Sequence, residues 1–347
     1  MLRALSPLQA RLLLVAAALF CLLCASFAAE PVSEVKVTGS DYSDIKLYHD
    51  IAEKVRTGTP YHRAARDLQH AHDYPSQPFV TIRLPTLAHM AATFGWPTLQ
   101  AILAGFLMLT VVLWYRLAAA RSQGLEPILV GVMILLGGAM VTQPGLIAMH
   151  DFWAGVLACA ALAFRGGKRW PLAVLLAGLA MMIRELSVPF AALALAFALV
   201  QRRRKEAIGW AALLAVFAVV MLLHAQAVHA VVLPTDKQSA PWSGLRGLSG
   251  VLHDLTDTSV LNNLPMPLAF ALIPLGLLGW AAAPREQALF GLLYYLGMAV
   301  MIALFTRPDN FYWACLLQPG WFIGFAFLPR ALRDCAQAAL ARRAAAG

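Results

Sequence analysis

The sequence predicts an all-α membrane protein, a polytopic transmembrane bundle of about ten helices with a partly helical external first loop. Of its 347 residues, 60% are hydrophobic and only 13% are charged, and the mean hydropathy is +0.68. A soluble core cannot bury so much apolar surface, so these values are typical of integral membrane proteins. The apolar residues also occur in long runs separated by short polar segments, the pattern of helices that cross a bilayer.

The charge and the cysteines exclude two other classes of protein. The formal net charge is +9, but the basic residues lie in clusters between the apolar runs. That arrangement is typical of cytoplasmic membrane loops rather than of a nucleic-acid-binding surface, so the lipid bilayer is an expected partner and nucleic acid is not. The five cysteines lie in or beside apolar runs or in the C-terminal segment, and no disulfide framework is predicted.

Residues 1–29 are predicted to form the first transmembrane helix. Arg3 and Arg11 precede an apolar segment that continues to Ala29. Its length is close to the roughly 20 residues that a helix needs to cross a bilayer. The segment ends in Ala-Ser-Phe-Ala-Ala, which also fits a signal peptide, so cleavage remains the alternative interpretation.

Residues 30–96 are predicted to form a large external loop that contains short helices. Its polar, charge-rich part begins near Asp44, directly after the first apolar segment. Asp44 and Tyr48 are four residues apart, so they would share one face of a helix. Gly58 and Pro60 are expected to end that helix and to turn the chain back. We therefore expect the chemistry of the protein to lie in this loop.

Residues 97–328 contain nine further apolar runs, each of which we interpret as a transmembrane helix. They lie at about residues 97–115, 127–142, 149–164, 170–183, 187–200, 208–232, 265–283, 288–305 and 311–328. With the first helix, they give about ten spans in a single integral membrane domain of residues 1–347. The last residues, 329–347, are predicted to form a cytoplasmic tail.

The distribution of Lys and Arg predicts that both termini are cytoplasmic. With the N-terminus inside, most basic residues fall in the inner segments, whereas the short external turns hold few of them. The polar residues beside the helix ends then all fall outside, together with the first loop and the segment 233–264. They are His150, Asp151, Arg184, Glu185, His224, His229, Arg307, Asp309 and Asn310. Because ionisable groups are costly within a membrane, such a cluster indicates a functional site.

Several of these residues also have a structural interpretation. Asp44 fits a solvated loop carboxylate, and Asp151 fits the N-cap of the fourth span. Arg184 and Glu185 fit an ion pair at a helix junction. The histidines of the first loop lack the spacing of a zinc signature such as H-E-x-x-H, so no metal site is predicted.

Four segments, in chain order, resemble one superfamily of enzymes. In the first, Asp44-x-x-x-Tyr48 is followed by Ala52, Gly58, Pro60 and Tyr61, and Tyr74-Pro75 and Arg83-Leu84-Pro85 lead into the next apolar segment. The others are HDFWAG at 150–155, IREL at 183–186 and RPDNFYW at 307–313. This pattern resembles the GT-C superfamily of polytopic membrane glycosyltransferases, in which an acidic residue opens the first large external loop. It is most similar to bacterial polyprenol-phosphate-sugar-dependent mannosyltransferases.

The resemblance implies a GT-C-like fold and an enzyme that moves a sugar from a polyprenyl-phosphate-linked donor to an acceptor of unspecified identity. The site would face the periplasm or exterior from the cytoplasmic (inner) membrane. Asp44 would be the base of an inverting single displacement, with Asp41 as its substitute and Asp151 as a second carboxylate. Arg184 and Arg307 would bind the donor phosphate. The substrate-binding residues would be Tyr48, Tyr61, His150, Glu185, Asp309 and Asn310. No cofactor is firmly predicted, and the superfamily leaves a divalent metal open.

Two functions from other classes remain as alternatives. One is a transporter or flippase for a lipid-linked or small polar substrate, and the other is a non-catalytic membrane scaffold. A transporter typically shows inverted repeats and charges near the middle of its spans. Here the sequence shows no such repeat, and the charges gather near one end of the predicted helices. That distribution favours an enzyme with an outward-facing site.

Overall fold

The computed structural model describes residues 2–29, 43–122 and 124–341, and within these ranges it contains helices and no β-strand. This confirms the predicted all-α class. Asp41, one of the predicted catalytic residues, lies outside the described ranges. The helices are α1 (Pro7–Ser26), α2 (Asp44–Arg56), α3 (Tyr61–Ala71), α4 (Thr86–Phe94), α5 (Trp96–Ala119), α6 (Glu126–Gly137), α7 (His150–Phe164), α8 (Trp170–Ile183), α9 (Val188–Val200), α10 (Arg204–His229), α11 (Gly247–Asp257), α12 (Met266–Trp280), α13 (Arg285–Phe305) and α14 (Gly320–Leu340).

Several of these helices are long and apolar enough to cross a membrane. In the described part of the chain four meet this condition: α5, α10, α13 and the first helix, taken as Pro7–Ala29. A fifth span arises if the 3-10 segment Pro308–Leu317 and α14, which meet at an angle of 57°, count as one. Five shorter apolar helices lie on the remaining predicted runs. The structure is therefore compatible with a membrane protein.

The connections between the apolar helices gather at two ends of the bundle. The long-loop end carries α2, α3, α4 and α11 together with the α6–α7 and α8–α9 connections. Its parts are joined by contacts such as the ion pair between Arg184 and Asp151. The short-loop end carries the α5–α6, α7–α8, α9–α10 and α12–α13 connections and is joined by pairs such as Arg203–Glu286. The predicted site residues all lie on the long-loop end where the structure describes them.

Helix α7 lies at the centre of the bundle, and α1 lies at its periphery. Every residue from His150 to Leu162 is buried, since α5, α8 and the Pro308–Leu317 segment all pack against α7. In contrast, only 6% of the most apolar 18-residue stretch of the first helix is buried. An apolar helix that is exposed on most of its surface requires an apolar solvent, as a lipid bilayer provides.

The C-terminal boundary differs from the sequence prediction. The run at 311–328 was expected to be one span followed by a separate tail, but α14 continues through Pro329 to Leu340. The helix continues because its last turns have partners on the N-terminal segment. The carboxylate of Asp334 accepts a hydrogen bond from Arg3 (2.9 Å), and alanines near the end of α14 pack against α1.

Close packing of α12 against α14 depends on glycine. A Cβ at Gly324 would overlap the backbone carbonyl of Gly276, and a Cβ at Gly279 would overlap that of Gly324. Small residues of this kind let two membrane helices approach closely. We expect Gly324→Ala to lower the free energy of unfolding by about 1–3 kcal/mol, because the helices must separate. Unfolding in mixed detergent micelles measures this loss.

The matched control is Gly105→Ala in α5. A Cβ at Gly105 would meet no atom within 4 Å, and alanine favours helix over glycine. This variant should therefore be at least as stable as the unmodified protein. Equal stability of Gly324→Ala and Gly105→Ala would contradict the proposed packing.

Candidate functional site

Helix α2 presents two of the predicted site residues from the long-loop end. The Ser43 side chain caps the helix by accepting a hydrogen bond from the Lys46 backbone N–H (3.3 Å), a standard start for a helix. Asp44 and Tyr48 therefore lie on one helical face, as predicted. Gly58 has a φ of +96°, a left-handed conformation that suits glycine and ends the turn after α2. Helix α3 then runs back along the bundle.

A buried ion-pair cluster lies beside α2. Arg184 donates from Nε to Asp151 Oδ1 (2.7 Å) and from Nη1 to Glu185 Oε1 (2.5 Å). The side chains of Arg184 and Asp151 are only 1% and 2% exposed. The predicted pairing of Arg184 with Glu185 is thus present, and it extends to Asp151. We call these three residues the Arg184 cluster.

The structure corrects the interpretation of Asp151 as a helix cap. Helix α7 begins at His150, and its N-cap is Met149 with no side-chain cap hydrogen bond. Asp151 lies in the first turn, where the partial positive charge of the helix N-terminus also favours a carboxylate. Its side chain turns toward Arg184 because an unpaired buried carboxylate would be very costly.

Arg83 occupies the centre of the site, although it was not among the predicted site residues. Its guanidinium donates to the hydroxyls of Tyr48 (3.3 Å) and Tyr312 (3.2 Å). Its Nη1 lies 3.6 Å from Glu185 Oε1, and its backbone carbonyl accepts from the Tyr61 hydroxyl (2.7 Å). The sequence signal was an arginine placed directly before an apolar helix, at the end of the polar loop. Arg83 joins the external loop to the Arg184 cluster.

The carboxyl of Asp44 has an unusual environment. Burial raises its pKa above the ordinary value, and the negative charges of Asp309 and Asp151 add to this effect. A hydrogen bond from the Tyr74 hydroxyl and the charge of Arg83 act in the opposite direction, without cancelling the rise. Asp44 is therefore close to the Arg184 cluster and is a stronger base than a solvated aspartate.

Arg307 lies at the edge of the site, where its donors already have partners. Nε and Nη2 bind the two carboxylate oxygens of Asp309 (3.1 Å each). Nη1 donates to Ser239 Oγ (3.1 Å) and to the Ala240 carbonyl (2.7 Å). The predicted phosphate contact through Arg307 would require an exchange of these partners. Asn310, also predicted to bind substrate, is buried and donates to the Tyr312 hydroxyl (3.3 Å).

The segment between α10 and α11 fixes this edge of the site to the first loop. Asp236 accepts two hydrogen bonds from Arg66 of α3, at 2.8 and 2.9 Å. Three residues later, Ser239 contacts Arg307. The same segment thus connects α3 with the Pro308–Leu317 segment, and it holds Arg307 and Asp309 near Asp44.

A small, partly open cleft lies next to Tyr48. Aromatic rings form most of its wall, and the Tyr48 and His150 rings pack edge to face with their centroids 4.7 Å apart. The lining residues are Tyr48, Ile51, Tyr61, Leu87, Ala88, Trp96 and His150. Because Trp96 begins α5, the cleft adjoins a helix that is long enough to cross a membrane. Three predicted substrate-binding residues therefore share one cavity.

The described residues include no group of three or more His, Cys, Asp or Glu side chains that could hold a metal ion. Two histidines bind each other instead: His62 Nε2 lies 3.1 Å from His224 Nδ1. His224 Nε2 lies 2.9 Å from the Ile82 carbonyl and must be its donor, since a carbonyl only accepts. Burial lowers the pKa of His62 to about 4. These histidines join α3 to α10.

No protein-family model, curated protein or solved structure matches this chain.

Proposed function

We propose that this protein is a membrane glycosyltransferase of the GT-C type. It transfers a sugar from a polyprenyl-phosphate-linked donor to the hydroxyl of an acceptor. In this proposal the ten apolar helices or helix pairs all cross the cytoplasmic membrane, both termini are cytoplasmic and the long-loop end faces the exterior. The observation that carries the proposal is a partly buried carboxylate, Asp44, beside Arg83 and the Arg184 cluster.

The chemistry needs a base and a cation, and the site supplies both. The Asp44 carboxylate accepts the proton of the acceptor hydroxyl while the new bond to the anomeric carbon forms. The bond from that carbon to the phosphate oxygen breaks in the same step, so the anomeric configuration inverts. The released polyprenyl phosphate carries the negative charge, which a nearby guanidinium stabilises.

Arg83 is the arginine best suited to the phosphate. Its hydrogen bonds within the protein go to neutral tyrosine hydroxyls at 3.2–3.3 Å, and these are weaker than bonds to an anion. Arg184 is engaged by two carboxylates, but its Nη2 is buried and has no hydrogen-bond partner among the residues that the structure describes. A phosphate oxygen at that atom would satisfy it, so Arg184 keeps its predicted role as a second contact.

The aromatic cleft suits the remainder of the donor. Its lining is largely apolar, with Tyr48, Tyr61 and His150 as its polar side chains, and the cleft has to widen to admit a sugar. Its wall includes Trp96 at the start of α5, so in this proposal the lipid tail follows α5 into the bilayer while the phosphate binds at Arg83.

The direct test incubates the purified protein with a panel of labelled polyprenyl-phosphate sugars and acceptor-containing membrane extract. We expect one donor class to be consumed, with release of polyprenyl phosphate and a product of inverted anomeric configuration. A retained configuration would contradict single displacement. The transport alternative is tested with the purified protein reconstituted into lipid vesicles. If the protein moves an intact donor across the bilayer without breaking it, the transport alternative replaces the proposal.

The hydrogen bond from Tyr74 predicts a pH effect on this activity. The bond favours the charged carboxylate and so lowers the pKa of Asp44. In Tyr74→Phe the pKa rises further, and because only the deprotonated form is a base, activity is lost at a higher pH on acidification. In the profile of kcat/KM against pH, the acid limb should move to higher pH, and kcat/KM at pH values above that limb should change little. An unchanged acid limb would show that Tyr74 does not affect the pKa of the base.

A further inference from the structure

Three connections at the short-loop end, opposite the candidate site, come together into one surface. Arg165, between α7 and α8, donates from Nη1 to the Glu286 carbonyl (2.7 Å). In return, its own carbonyl accepts from Gln287 Nε2 (3.0 Å). Arg203, between α9 and α10, donates to the Glu286 carboxylate (3.0 Å). Segments 165–169, 202–206 and 285–286 therefore form one continuous surface, which we call the basic patch.

The basic patch has a large excess of positive charge. Its three segments contain eight basic and two acidic residues, and both acids already have partners. Glu286 accepts from Arg203, and Glu206 is buried beside Arg203 and Trp210. Six of the basic side chains are exposed and form no ion pair within the described ranges: Lys168, Arg169, Arg202, Arg204, Lys205 and Arg285. This surface is suited to an anion.

A buried guanidinium anchors the patch. The Arg165 side chain packs against two aromatic rings, with its Cζ 4.5 Å from the centroid of Phe197 and 4.2 Å from that of Phe290. The residue is only 2% exposed. Cation–π contact with these two rings holds the charge in place, although no carboxylate in the described ranges lies within ion-pair distance of it. The arginine therefore adds a fixed positive charge beneath the exposed side chains.

Exposed apolar side chains lie directly beside these charges. At the end of α9, Leu199 and Val200 are 60% and 83% exposed, and Ile208 at the start of α10 is 68% exposed. A water-soluble polyanion such as a nucleic acid would leave this apolar surface uncovered. An amphiphile with an anionic head and apolar chains covers both surfaces at once.

We propose that the basic patch binds the headgroup of an anionic phospholipid, whose acyl chains lie along the exposed apolar ends of α9 and α10. The phosphate lies among the exposed arginines and lysines, above the fixed charge of Arg165. This inference is independent of the proposed glycosyl transfer, since it concerns the other end of the bundle.

The test measures lipid binding to the full-length protein in a neutral detergent. Phosphatidylglycerol, phosphatidylcholine and the soluble compound glycerol phosphate are titrated separately, with thermal unfolding and native mass spectrometry as readouts. We expect phosphatidylglycerol alone to raise the unfolding temperature and to remain bound in the gas phase. An equal response to glycerol phosphate would show that the apolar surface plays no part, and an equal response to phosphatidylcholine would show that charge plays none. Either result overturns the proposal.

The variant Arg202→Gln/Arg204→Gln/Lys205→Gln tests the patch itself. We expect it to bind phosphatidylglycerol roughly 100-fold more weakly, since each basic residue near an anionic lipid contributes several-fold to affinity. The matched control, Lys54→Gln/Arg56→Gln/Arg63→Gln, removes the same charge from the long-loop end and should bind normally. If the patch variant is unstable in phosphatidylcholine, Lys168→Gln/Arg169→Gln on the neighbouring connection replaces it. Unchanged binding by a folded patch variant would refute the assignment.

Discussion

Replacing Arg184 with methionine is expected to destabilise the protein by about 3–5 kcal/mol, the cost of breaking a buried ion pair from one side. Its side chain is 1% exposed and joins α7 to the α8–α9 connection through Asp151. Methionine fills a similar volume but leaves the Asp151 carboxylate buried without a counter-ion. The Glu185 carboxylate is less affected by the loss of Arg184, because it is more exposed and Arg83 lies 3.6 Å from it.

Unfolding in mixed detergent micelles measures this effect, and a second substitution isolates its cause. The double variant Arg184→Met/Asp151→Leu removes both charges, so it should recover a large part of the loss. The control is Arg56→Met, which breaks an exposed pair with Glu53 and should change stability by less than about 1 kcal/mol. If Arg184→Met costs no more than the control, the cluster does not stabilise the bundle.

The helical fold could be predicted because hydropathy is a local property of the chain. In an apolar solvent every backbone N–H and C=O must find its partner within the helix, so a long apolar run has few other options. All ten predicted runs fall on helices of the structure. The bend before Gly320 and the continuation of α14 to Leu340 could not be predicted in this way. They depend on contacts with distant segments, such as the bond from Arg3 to Asp334.

The site was predictable in part, and for a related reason. Ionisable residues beside apolar runs stand out in the sequence and indicate Asp151 and Arg184, whereas Asp44 is indicated by its place in the polar first loop and by the superfamily resemblance. Their pairing was not predictable, because 33 residues separate Arg184 from Asp151. Arg83 was given no role in the site because an arginine at the end of a polar loop is ordinary, and its central position follows from its contacts with Tyr48 and Tyr312. Arg307 had the same sequence signal as Arg184, yet its partners place it at the edge.

Replacing Asp44 with asparagine is expected to reduce glycosyl transfer by a factor of about 10² to 10⁴, the usual contribution of a general base. Asparagine has nearly the same shape and still accepts the hydrogen bond from Tyr74, but it cannot take a proton from the acceptor hydroxyl. The loss should appear in kcat rather than in KM, because the carboxylate acts in the transition state. The measurement is the rate of product formation with the donor identified by the panel.

The matched control for Asp44→Asn is Asp50→Asn on the same helix. Asp50 forms an exposed pair with Lys46, one turn away (2.9 Å), and it has no role in the proposed chemistry. Both variants change the charge of α2 equally, so any general effect of that charge on folding or membrane insertion appears in both. A fall in activity confined to Asp44→Asn assigns the base to that carboxylate. Near-normal turnover in Asp44→Asn would exclude Asp44 from catalysis, since no amide can replace a base in a single displacement.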